Sequence, residues 1–154
     1  MALYAASEAP LTGPEWREDE PGFHVQPLTE LEGQVASRLA RAHVVYLGAH
    51  TGCSCGFTYG LGKSTSWNKD APQESDDAQG RASVAGLRRF LEDNLSSSAR
   101  VQLLSCWEGD ESLPFEQEKE VDLEFFGGDA FEFEQRVLYH VTRGGQAGRQ
   151  EDLC

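Results

Sequence analysis

A chain of 154 residues, 39% hydrophobic and 25% charged, is long enough to bury a core without metal or disulfide staples. That balance excludes a wholly disordered chain, and no apolar run approaches the length of about 18 residues that a membrane-spanning helix needs. The net charge is −13, of which −10 falls between Glu108 and Glu134; such a chain repels phosphate backbones, which argues against nucleic-acid binding.

Residues 1–22 carry Pro10, Pro14 and Pro21 around a charged cluster from Glu15 to Glu20, and read as a flexible N-terminal arm that Trp16 is able to pin. The first basic residue is Arg17, so the start lacks the positive region of an export signal and a cytoplasmic location is expected. In that compartment the four cysteines are expected as reduced thiols or ligands. A single domain is expected over residues 23–141, followed by a flexible tail over residues 142–154.

Phe23–Leu28 reads as a short strand. Thr29 and Glu32 then have the spacing of a capping box, and Leu31, Val35 and Leu39 recur at helical spacing, predicting a helix over residues 30–42. His43–Leu47 is apolar on both alternating faces, as a central strand is. Cys53, Cys55, Phe57 and Tyr59 alternate with Ser54, Gly56 and Thr58, predicting a second strand with both thiols on its buried face. Residues 60–80 form a long loop that contains Trp67.

Val84, Leu87, Leu91 and Leu95 predict a helix over residues 78–95. Val101–Trp107 reads as a strand. Val121–Phe125 and Phe131–Val141 alternate apolar and polar residues around Gly127-Gly128-Asp129, predicting a hairpin. The order suits an α+β fold, with a mostly antiparallel sheet of about five or six strands and two helices packed on one face.

Three groups of residues bear on chemistry. Gly62-Lys63-Ser64-Thr65 looks like the end of a phosphate-binding loop, but the first glycine is out of register and no helix follows, so it is set aside. His50, Cys53, Cys55 and Cys106 are the candidate metal set: zinc takes four nitrogen or thiolate ligands, with His43 as the alternative histidine. The same residues allow a nucleophile–base pair, Cys53 or Cys55 with His50. Trp107, Glu108, Asp110 and Glu111 end a strand as an acidic, aromatic turn, and Glu132 and Glu134 line the outward side of the expected hairpin.

The leading expectation is a small acidic, non-enzymatic interaction domain, toxin-neutralising for instance, that binds a basic protein through Trp67, Trp107 and these carboxylates. A zinc-stabilised domain is the alternative, and a cysteine-dependent enzyme is the third. No cofactor other than zinc is suggested.

Overall fold

An unbroken apolar run suits a strand buried on both faces, and the chain begins with one, Met1–Ala6. In the computed structural model, which describes residues 1–39, 41–62 and 73–144 (the side chains of residues 31 and 73–75 excepted), this run forms strand β1, Ala2–Ser7, buried along its whole length. The reading of residues 1–22 as a flexible arm is therefore corrected. β1 lies in the middle of the sheet, and the three prolines fall between it and the next strand.

Five further strands complete the sheet: β2 (His24–Pro27), β3 (His43–Gly48), β4 (Val101–Cys106), β5 (Gln117–Asp122) and β6 (Val137–Thr142). Their order is β2-β3-β1-β4-β6-β5. Every neighbouring pair is antiparallel except β5 with β6, which run parallel. The α+β class and the mostly antiparallel sheet stand.

The expected hairpin does not form. Parallel neighbours need a crossover, and residues 123–136 supply it with a 3-10 turn at Leu123–Phe125 and no helix. Phe126, Phe131 and Phe133 bury their rings along this crossover while Glu132 and Glu134 stay exposed. The alternation read from the sequence is thus real, but it lies on an irregular segment joined to Tyr59 by one bridge.

Helix α1 (Gly33–Leu39) follows a 3-10 turn at Glu30–Glu32, whose Glu32 carboxylate accepts the Thr29 N–H at 2.8 Å. Helix α2 (Gln73–Asn94) buries Val84, Leu87, Phe90 and Leu91 against Leu3, Ala5 and Leu103. Burying Leu87 and Leu91 contributes roughly 1.5–3 kcal/mol each. Val35 and Leu39 of α1 instead join Ala2, Tyr4 and Ala6. Alternate residues of β1 point to opposite faces, so the two helices cover opposite faces of the sheet and not one, as expected.

The segment between β1 and β2 is tied down. Thr12 and Asn94 exchange hydrogen bonds of 3.2 and 3.1 Å, and the Val25 N–H donates to the Pro14 carbonyl at 2.7 Å. Among the described residues no helix is long and apolar enough to cross a membrane.

Candidate functional site

The chain leaves β3 at Gly48, where a Cβ would sit 2.2 Å from the His24 ring, so only glycine lets the buried histidine of β2 lie alongside. Ala49–Gly52 then form a tight turn, with Gly52 N–H donating to the Ala49 carbonyl at 3.0 Å. Gly52 takes φ +80°, a conformation that a side chain would strain. Cys53 is extended and enters a 3-10 turn at Ser54–Gly56.

That turn replaces the strand expected over Cys53–Tyr59 and inverts its faces. Ser54 and Gly56 are buried; Cys53 and Cys55 are half-exposed. The cause is Ser54. Its hydroxyl donates to the Leu47 carbonyl at 2.6 Å and accepts the Leu3 N–H at 2.9 Å, while its own N–H donates to the Tyr46 hydroxyl at 3.0 Å. A period-two pattern assigns a serine outward; here it satisfies backbone groups at the ends of two central strands, where an unmet polar group is costly.

Cys53 and Cys55 are joined as a disulfide, with their Cα atoms 5.4 Å apart. In a strand, residues two apart sit near the limit of bridging; the 3-10 turn shortens that span into the usual range. The reduced thiols expected there are thus a cystine. The Thr51 hydroxyl lies 3.4 Å from the Cys53 sulfur and 3.7 Å from the Cys55 sulfur, and it donates to the Cys53 carbonyl at 3.1 Å. A single hydroxyl therefore touches both sulfurs.

His50 does not face them. Its N–H donates to the Ser83 hydroxyl at 3.0 Å, its Nδ1 lies 2.9 Å from the same oxygen, and its Nε2 lies 3.7 Å from an Asp76 carboxylate oxygen. Asp76 and Ser83 are two turns apart on α2 and share a face. With Nε2–H turned to the carboxylate, Nδ1 accepts the serine proton. Serine, histidine and aspartate thus meet, but the three side chains are buried, so the set reads as a tie between α2 and the cysteine turn. Burial lowers the His50 pKa and Asp76 opposes it; the net direction is down, which keeps the ring neutral at pH 7. The expected Cys53–His50 nucleophile–base pair is corrected accordingly: both ring nitrogens are turned to α2.

The four expected zinc ligands are likewise not brought together. Cys53 and Cys55 are bonded to each other, and Cys106 lies with Tyr4 and Leu104 on the face that α1 covers. Burial, reinforced by Glu111 and Asp110, pushes the Cys106 thiol up to about 12. His43 begins β3, beside Ser7 at the opposite end of the sheet. Among the described residues no three His, Cys, Asp or Glu side chains cluster to hold a metal ion.

Of the expected partner-binding residues, Trp107 is 57% exposed. It opens a turn in which Asp110 N–H donates to the Trp107 carbonyl at 3.0 Å and the Glu111 carboxylate accepts the Gly109 N–H at 2.9 Å. Glu108 is exposed, whereas Glu111 also receives the Tyr4 hydroxyl at 3.3 Å. Glu134 pairs with Lys119, and Glu132 is exposed. Glu116, Glu120 and Glu124 pair with Arg136, Arg100 and Arg88, so the acidic stretch is partly matched by cations from elsewhere in the chain. Trp67 and Lys63–Thr65 lie outside the described residues.

Thr51, Ser83 and Asp76 went unnoticed in the sequence, and Ser54 was assigned to the outward side of a strand, since each acts through a contact with a distant or turned segment. Comparison with protein-family models, with curated protein sequences and with solved structures yields no match.

Proposed function

We propose that this chain is a thiol–disulfide redox protein whose working group is the Cys53–Cys55 pair. The observation that carries the reading is a half-exposed disulfide set in a turn that does not depend on it, because Ser54 anchors that turn to β1 and β3. A structural cross-link between residues two apart closes too small a loop to constrain the unfolded chain much. A pair that is accessible to another thiol has a chemical use.

The step balances without an outside oxidant. A thiolate of a dithiol substrate attacks one of the two sulfurs; the Cys53–Cys55 bond breaks and its electrons leave on the other sulfur, which takes a proton. The substrate's second thiolate then attacks the mixed disulfide. The substrate leaves as a disulfide and the protein as a dithiol, two electrons having passed between them. Thr51 supplies a hydrogen-bonding group beside whichever sulfur departs.

The reading is tested by counting alkylated thiols in the native full-length protein before and after mild reduction. A gain of two, both mapping to Cys53 and Cys55, is expected. A Cys55→Ser variant, offered the disulfide form of a dithiol peptide, is expected to open it and hold it as a mixed disulfide on Cys53, or Cys53→Ser to hold it on Cys55, the peptide's other sulfur leaving as a thiol. Failure to gain two thiols, or failure of both variants to trap the peptide, rejects the reading.

The exposure of Trp107 among carboxylates favours a second reading, a module that binds a basic protein without chemistry. It requires a lysine-rich peptide without cysteine to bind the Cys53→Ser/Cys55→Ser protein and to be lost in Trp107→Ala. No binding to the double-serine protein rejects it.

A further inference from the structure

The disulfide turn, the acidic turn and the segment that carries Trp16 share one end of the sheet. Ala2 pairs with Cys106, the residue before Trp107, while its neighbour Leu3 pairs with Leu47 and hands its N–H to Ser54. Trp16 packs edge-on against the His24 ring at 4.7 Å, and its Cη2 lies 3.8 Å from where a Cβ on Gly52 would sit. Trp16 is 37% exposed, so two partly open indoles belong to this end. The Tyr46 hydroxyl, which accepts the Ser54 N–H, is raised in pKa by burial; its hydrogen bonds with Ser54 oppose this, and Glu108 and Glu32 add to it.

Carboxylates outnumber cations at this end, where the Met1 ammonium also lies beside Ala2 and Cys106. Glu15, Glu18, Asp19 and Glu20 flank Trp16 in the sequence, and the one cation among them, Arg17, is held by Asp19 at 2.8 Å and Glu20 at 3.2 Å. Arg136, just ahead of β6, is held by Glu116 at 2.7 Å and the Pro114 carbonyl. Arg38 is held by the carbonyls of Ser112 and Leu113. An incoming anion thus meets two cations already paired with carboxylates, one cation tied to backbone carbonyls, and the exposed Glu108. Exposed charges act over about 30 Å at low ionic strength, so all of these carboxylates bear on a reagent approaching the disulfide.

We propose, resting on the redox reading above, that the partner of Cys53–Cys55 is a cysteine pair set in a lysine- or arginine-rich segment of another protein, selected by charge and supported by Trp16 and Trp107. Guanidinium and ammonium groups also pack on indole faces, which fits two aromatic residues set among carboxylates. Small anionic thiols such as the glutathione class are disfavoured by the same field. The exchange is the two-electron step already written, with the basic protein's dithiol as the reductant.

The test is a panel of three dithiol peptides with the same Cys-Gly-Gly-Cys centre, flanked by lysines, by serines or by glutamates. Each reduces the oxidised full-length protein, and each rate is divided by that peptide's rate with a small neutral disulfide, which removes the effect of the flanks on thiol reactivity. At low ionic strength the lysine peptide is expected to exceed the glutamate peptide by about tenfold or more, a ratio that collapses in high salt. The combined Glu18→Gln and Glu108→Gln variant narrows the ratio toward one. Equal normalised rates for the three peptides overturn this inference and leave the redox reading standing. Absence of exchange with every peptide removes both.

Discussion

Ser54 holds the site together, and its removal has a calculable cost. Ser54→Ala leaves the Leu47 carbonyl and the Leu3 N–H without their buried partner, which is expected to cost roughly 2–4 kcal/mol. A denaturant titration checks this; a loss under half a kilocalorie, about the scale of a neutral surface change, contradicts it. His50 gives a pH dependence. Burial holds its folded pKa below the usual value, so the unfolded chain takes up a proton first as pH falls through about 6.5. The His50 contribution to stability is therefore fully present above that pH and lost below it. The drop in urea midpoint between pH 7.5 and pH 5.5 is expected to be smaller in His50→Gln than in the parent protein. An equal drop in both places the pH dependence elsewhere. None of this was legible in Gly52–Gly56 read alone. The alternation with Phe57 and Tyr59 was real for the two aromatics, and a 3-10 turn turned the cysteines the other way.

Among the elements, α2 was the most legible, because Val84, Leu87 and Leu91 repeat at the helical period and all three are buried against the sheet. β1 was legible in principle, as an apolar run, but Pro10, Pro14 and Pro21 drew the whole segment into an arm. The parallel pairing of β5 and β6 had no local signal at all. Two alternating runs around Gly127-Gly128 look the same whether the chain turns back at once or crosses over first. β1 also carries a prediction. Deleting residues 1–7 removes the strand on which β3 and β4 both pair, so the truncated chain is expected to show no cooperative thermal transition. A truncated chain with the parent's circular dichroism and melting behaviour would mean that the sheet closes without β1.

At the scale of the whole molecule, the redox reading ties part of the excess negative charge to the Cys53–Cys55 pair. The internal ion pairs of β5 and its surroundings offset part of the acidic stretch, and exposed pairs of this kind add little to stability. Glu108, Asp110 and Glu111 follow β4 at the end of the sheet that presents Cys53 and Cys55. This arrangement asks little of the fold during turnover: Ser54, His50 and Gly48 hold the turn through contacts that do not involve either sulfur. That independence sets the most direct test. A redox titration of the Cys154→Ser protein, with alkylation mass and near-ultraviolet circular dichroism read at each point, is predicted to show a reversible two-thiol transition at Cys53 and Cys55 with the tertiary signal of the rest of the chain retained. A pair that cannot be reduced until the protein unfolds, or that does not re-form from the folded dithiol, would contradict the account.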